Sequence, residues 1–239
     1  MKIFLSGQSS YLDLDWSKCK YNLESFYYFK KEQEQYLKKW DMFMLDSGAF
    51  TFMGKSKIVD WEEYVKKYSE FIIQHNIDLF LELDIDAIIE YKETIKLRNY
   101  LEELTGKRCI PVWHKSRGIK EFEKLISDYK YIAIGGIANG EIKPFEYKYL
   151  KEMIRMAHNK KCKVHGLGFT KTRLLKTYHF DSVDSTTWNR GRFGDLYIYK
   201  NGKMAVYNPK TKRLIDGRRA NEFCLKEWIK FQEYAETNL

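Results

Sequence analysis

A chain of 239 residues is long enough for one large domain with a sizeable core. Its 42 Lys and Arg against 33 Asp and Glu leave a net charge of +9, which fits a polyanionic partner such as nucleic acid. The four cysteines, Cys19, Cys109, Cys162 and Cys224, lie too far apart for the close Cys-x-x-Cys pairs of a structural zinc site and read as reduced thiols. No stretch approaches membrane-spanning length, and the apolar run within Met1 to Gly7 is too short for a signal peptide, so a soluble cytoplasmic protein with no membrane contact is expected.

Lys2-Ile-Phe-Leu-Ser-Gly7 reads as a buried strand ending in a glycine turn. Gln8 to Lys39 is polar and aromatic, with a helix expected through its Glu/Lys/Gln-rich part. Asp41 to Asp46 is a second apolar strand, followed by Ser47-Gly48-Ala49-Phe50. Asp60 to His75 is an amphipathic helix with Asp60 as its N-cap and Trp61, Tyr64, Val65, Tyr68, Phe71 and Ile72 on one side. Asp78 to Asp86 alternates strictly, placing Leu79, Leu81, Leu83 and Ile85 on one face and Phe80, Glu82, Asp84 and Asp86 on the other. A helix over 87–104 precedes a strand at Cys109 to His114, a helix at Ile119 to Asp128 and a strand at Tyr131 to Ile137. Then come a helix at Phe145 to Asn159, a strand at Lys163 to Gly168 and a short helix at Thr170 to Tyr178. Phe180 to Asp184 is a seventh strand, in which Phe180, Ser182 and Asp184 share a face and Asp181 points the other way. Leu196 to Tyr207 is a hairpin turning at Asn201-Gly202, and Glu222 to Glu236 is a closing helix.

Strands alternating with helices predict a parallel α/β fold, and their number favours a (β/α)8 TIM-type barrel. With no repeat or linker, residues 1–239 form one domain, of which 195–239 supply the C-terminal β-hairpin and helix. The eighth barrel strand is not identified by its pattern. The closing helix is expected either to fill that gap or to pack across the barrel bottom.

In barrel enzymes the site forms at the carboxyl ends of the strands. Asp46-Ser47-Gly48, Asp84 and Asp86, His114, Gly135-Gly136, His165-Gly166 and Asp184 all fall there. Each has an ordinary explanation alone: a capping aspartate, a satisfied core histidine, a tight turn. Together they converge on one rim, where like charges are costly unless a proton or ligand compensates. Several aspartates without a thiol cluster or Gly-rich nucleotide fingerprint point to acid–base or nucleophilic carboxylate chemistry. Carboxylates suit attack at a sugar's anomeric carbon, where the transition state is oxocarbenium-like. No cofactor is implied; a divalent metal on Asp84 and Asp86 is the alternative.

At these residues the chain resembles the tRNA-guanine transglycosylase superfamily, most of all its compact phage-type branch that includes the DNA 7-deazaguanine transglycosylases. Leu45-Asp-Ser-Gly-Ala-Phe50 is similar to the family's Asp-Ser-Gly-Gly-aromatic segment. Ala133-Ile-Gly-Gly-Ile-Ala-Asn-Gly-Glu141 resembles its Gly-Gly-Leu-Ala-x-Gly-Glu loop, and His165-Gly-Leu-Gly168 its Met-Gly-Val-Gly turn. Val183-Asp-Ser-Thr-Thr-Trp-Asn-Arg190 parallels Phe-Asp-Cys-Val-x-Pro-Thr-Arg, with the same step from Asp to Arg.

The resemblance implies a barrel enzyme that exchanges guanine in nucleic acid for a free 7-deazaguanine base of the 7-cyano-7-deazaguanine type. It makes Asp184 the nucleophile at C1′ and Asp46 the acid–base partner. Phe50 would stack on the base, Ser47 and Asp84 would bind its polar edge, and Gly135 and Gly136 would offer backbone contacts. His114, His165 and Gly166 take further base-contact positions, while Arg190 and Arg192, with Trp188 beside them, would meet the nucleic acid. Three departures bear on the substrate. The family's Cys-x-Cys-x-x-Cys zinc element is absent, which favours DNA over tRNA. Trp113-His114-Lys115 replaces Gln-Gly-Gly, and Arg190-Gly-Arg192 is a residue tighter than Arg-x-Gly-Arg. A tRNA enzyme, a hydrolysing N-glycosylase and a non-catalytic nucleic-acid-binding subunit are the alternatives, and a homodimer is compatible with each.

Overall fold

The computed structural model describes residues 1–52, 59–207 and 216–239. Eight parallel strands form one sheet: β1 (Lys2–Ser6), β2 (Tyr21–Ser25), β3 (Met42–Asp46), β4 (Leu79–Phe80), β5 (Val112–Trp113), β6 (Tyr131–Ile134), β7 (Lys163–Gly166) and β8 (Ser182–Ser185). β1 pairs with both β2 and β8, and a parallel bridge from Leu81 to Ile110 joins β4 to β5, closing the ring. The result is a (β/α)8 TIM-type barrel.

The eighth strand is β2, inside the stretch whose composition suggested only polar loop and helix. Tyr21 and Leu23 enter the barrel interior with Phe4, Met44, Leu81, Ile110, Val112 and Ala133. The alternate residues, Asn22 and Glu24, are buried as well, so no polar face flags a strand. Their polar atoms are bound within the protein: Asn22 Nδ2 donates to the Leu5 carbonyl, and Glu24 accepts from the Ser9 amide. Of the helix expected here only a four-residue turn forms, α1 (Glu34–Leu37).

The outer ring contains α2 (Trp61–Gln74), α3 (Tyr91–Thr105), α4 (Gly118–Asp128), α5 (Tyr147–Asn159) and the short α6 (Leu175–Tyr178). Asp60 caps α2 as expected, accepting from the Glu63 amide at 3.0 Å. The strict alternation expected through Asp86 stops early. The Ile85 amide bonds back to the Leu83 carbonyl, so the chain turns, and Leu83 and Ile85 join the outer core rather than Leu81 inside. Phe180 likewise precedes its strand and packs outward on Phe169, whereas Ser182 and Asp184 face inward.

After β8 come the hairpin β9 (Leu196–Lys200) and β10 (Lys203–Tyr207), then α7 (Gly217–Asn238). The hairpin turns at Asn201 and Gly202, both at positive φ. α7 lies along the outside of β1 rather than across the barrel bottom. Its Gln232 Nε2 donates to the Ile3 and Tyr21 carbonyls at 2.7 and 2.9 Å, stapling the amino ends of β1 and β2. All four cysteines are buried and free.

Candidate active site

The strands deliver polar side chains to one mouth, Ser6 from β1, Asp46 from β3 and Asp184 from β8, whereas Glu24 of β2 points outward onto Ser9 and Gln33. Asp84 and His114 follow β4 and β5, and Glu141 reaches back from the loop after β6.

Asp184 is held from three sides. The Gly168 amide donates to Oδ1 at 2.6 Å, Ser6 Oγ donates to Oδ2 at 3.3 Å, and His165 Nε2 lies 3.4 Å from Oδ1. His165 is fully buried, with Nδ1 on Ser182 Oγ, which Tyr131 Oη also meets. These contacts pin the carboxylate in one orientation, with its side chain 13% exposed. Asp181 points away, as its parity requires, and binds His158 on the outside at 2.9 Å.

Asp46 sits in a different electrostatic environment. Burial raises its pKa, the Gly48 amide at 3.2 Å partly offsets this, and the charges of Asp84, Asp184 and Glu24 raise it further, to about 7. It is therefore poised to hold or release a proton near neutral pH. The two carboxyl groups thus differ: Asp184 is firmly oriented, and Asp46 is raised toward neutrality in part by the charge of Asp184.

His114 bridges two carboxylates. Its Nε2 lies 3.0 and 2.8 Å from the Asp84 oxygens and its Nδ1 2.8 Å from Glu141 Oε2. Burial works against its charge, but the hydrogen bonds and charges of Asp84 and Glu141 outweigh burial and lift its pKa to about 9. Both ring nitrogens then donate. The Gly135-Gly136 pair makes this bridge possible. A Cβ on Gly135 would fall 2.6 Å from His114 Cε1, and one on Gly136, at φ +77°, would fall 2.6 Å from Glu141 Oε2.

Arg117 completes the cluster beneath. Its guanidinium reaches Glu82 at 3.0 Å, Asp84 at 3.2 Å and Asp86 at 2.7 Å, and lies over the Tyr91 ring. Among the described residues, Asp84, Asp86 and His114 have ligand atoms close enough to share a metal ion. Arg117 already bridges the two aspartates with its positive charge, and His114 spends both nitrogens on carboxylates. The donor set is thus satisfied from within the protein.

Several expected contacts fall elsewhere. His165 and Gly166 do not line the mouth: His165 supports Asp184, and Gly166 abuts the Phe180 ring, which a Cβ would approach to 3.1 Å. Ser47 is 1% exposed, and its Oγ accepts from the Ala49 amide at 3.4 Å. Trp188 is fully buried, with its indole N–H on the Ser6 carbonyl and its ring edge-on to Trp16, so it cannot stack on a nucleic acid. Arg190 is paired with Asp195, while Arg192 lies exposed over the Phe193 ring. The Phe50 side chain lies outside the described residues. Sequence reasoning gave no role to Ser6, Glu24, Arg117 or Glu141. Glu141 was visible as the acid ending the Gly-Gly-Ile-Ala-Asn-Gly-Glu loop; Arg117 carried no pattern that distinguished it from other basic residues.

The fold and site define a TIM-type barrel with a carboxylate-rich mouth at the carboxyl ends of its strands. No protein-family model matches the chain, and no curated protein matches it. Among solved structures, it is similar to the carboxyl transferase domain from Rhizobium etli pyruvate carboxylase with pyruvate, at TM-score 0.50 and 13% identity over 97% of this chain and 47% of that one. The same domain with 3-hydroxypyruvate matches at TM-score 0.49 and 14% identity, over 97% of this chain and 48% of that one. The chain spans about half the length of these structures, and the likeness to the pyruvate-bound domain bears on the fold alone. Among the described residues, no helix is long and apolar enough to cross a membrane.

Proposed function

We propose that the protein is a base-exchanging transglycosylase that replaces guanine in DNA with a free 7-deazaguanine base. The observation that carries this reading is the pairing of an oriented Asp184 with an Asp46 whose pKa lies at about 7, on one barrel mouth. The ordered resemblance of residues 45–192 to guanine transglycosylases supplies the substrate class.

The target nucleoside leaves its stack to enter the mouth. An Asp184 oxygen forms a bond to C1′ as the bond from C1′ to the guanine nitrogen breaks, and neutral Asp46 gives its proton to the departing base. The sugar is then an ester of Asp184 and Asp46 is ionised. Asp46 takes the proton from the incoming deazaguanine, whose nitrogen attacks C1′ and releases Asp184. Two inversions retain the anomeric configuration. The flanking carboxylates favour the oxocarbenium-like transition state over the neutral substrate. Asp84, oriented by His114 and Arg117, offers its remaining lone pairs to N–H donors on the base edge.

Incubation of DNA with the protein and isotopically labelled 7-deazaguanine or guanine tests this, read by label in the recovered nucleosides. Label in DNA is the expected result. Release of guanine with abasic product and no uptake would select the hydrolase reading, and label in tRNA alone would move the substrate to RNA. With Asp184→Asn, turnover should fall by at least about 10³-fold while circular dichroism stays unchanged.

A further inference from the structure

Beside Asp46 the mouth carries an aromatic surface that none of the chemistry above uses. The loops after β2 and β3 bring Tyr27, Tyr28 and Phe52 together, with Trp61 of α2 behind. Their rings form an edge-to-face series: Tyr28 to Tyr27 at 4.9 Å, Tyr27 to Phe52 at 5.2 Å and Phe52 to Trp61 at 5.5 Å. Tyr27 and Tyr28 are 44% and 52% exposed. Single exposed aromatics are ordinary, whereas a contiguous set at the edge of a site marks a contact surface. The set touches the catalytic segment itself. A Cβ on Gly48 would fall 2.6 Å from Tyr27 Cβ, and the Gly48 amide is the one that binds Asp46.

We infer that Tyr27, Tyr28 and Phe52 are a stacking platform for the bases flanking the target nucleoside in a single-stranded nucleic acid; the inference rests on the transglycosylase reading. Electrostatics select bases rather than phosphates as the occupant. Asp84 and Asp184 stand beside Asp46 at this mouth and disfavour a phosphate backbone, while an aromatic face receives an uncharged base face without that penalty. The backbone finds its cation across β1, where the loop after β8 carries the exposed Arg192 over Phe193. β1 lies between β8 and β2 in the ring, so the ends of β8 and β2 are two inter-strand spacings, roughly 10 Å, apart. A single strand that runs from the loop after β8 to the loops after β2 and β3 crosses the ends of β8, β1 and β3, where Asp184, Ser6 and Asp46 stand.

The test uses Asp184→Asn protein and a short single-stranded DNA carrying 2-aminopurine at successive positions around one guanine. Quenching is expected at positions on one side of that guanine. Tyr27→Ala/Tyr28→Ala should abolish it and weaken binding about tenfold or more, while Tyr27→Phe/Tyr28→Phe retains both. Binding of free guanine should be unchanged in either variant, which separates stacking from a general structural defect. If wild-type protein exchanges bases but the alanine variant keeps full oligonucleotide affinity and quenching, the platform is wrong and the transglycosylase reading stands. If wild-type protein neither binds oligonucleotide nor exchanges a base, both fall. A change in sedimentation of the alanine variant with unaltered oligonucleotide binding would make this surface a contact between copies of the chain, and would overturn the platform.

Discussion

Asp46→Asn should make the protein more stable at alkaline pH while destroying its activity. The carboxyl group rises from an ordinary 3.8 to about 7 in the fold, first through burial and then through the charges of Asp84, Asp184 and Glu24. A carboxyl group whose folded-state pKa lies above its unfolded value binds its proton more tightly when folded. Stability therefore declines as pH rises from about 4 to about 7, then levels. At about 1.4 kcal/mol per pH unit, the window from pH 5 to pH 7 alone corresponds to roughly 2.7 kcal/mol. Asp46 keeps some contact with solvent, and screening reduces the expectation to about 1–2 kcal/mol. Asparagine has no such titration and keeps an oxygen for the Gly48 amide. Urea denaturation of both proteins at pH 5 and pH 8.5 measures the difference. The variant should gain on wild type by about 1–2 kcal/mol between these values, and kcat/KM should fall by about 10²–10⁴. A stability difference that does not change with pH, or one that moves toward wild type, would refute the argument that Asp46 is a destabilised carboxylate.

His114→Gln should show the opposite sign. A histidine raised from 6.5 to about 9 adds stability that is fully present below pH 6.5 and lost as pH rises through 9. The variant should be less stable than wild type by about 2 kcal/mol at pH 6, with the gap narrowing by pH 10 in the same denaturation assay. Gly135→Ala should cost about 1–3 kcal/mol, because its Cβ would press on His114, and the lost bridge to Asp84 should appear as a raised KM for the incoming base.

The barrel was legible because most of its strands are short apolar runs separated by helices with clear periodicity, as in Tyr131–Ile134 and the Asp60-capped α2. β2 was not, because Asn22 and Glu24 are buried polar residues whose partners, Leu5, Ser9 and Gln33, are distant in sequence. Asp46 and Asp184 stood out by their places at strand ends. Trp188 was misread because its neighbours Arg190 and Arg192 are polar; only the tertiary structure shows it under Trp16 and bonded to Ser6. Arg117 and Glu141 act by joining loops that follow different strands, and such cross-loop pairing leaves no local pattern.

The claim on which the rest depends is that Asp184 forms a covalent bond to the sugar at the guanine it replaces. Mass spectrometry of nucleosides from DNA incubated with the protein and labelled 7-deazaguanine measures the outcome most directly. Labelled deazaguanine nucleoside replacing deoxyguanosine, absent with Asp184→Asn, is the predicted result. Unaltered nucleosides in both DNA and tRNA, across the pH range in which Asp46 titrates, would contradict it.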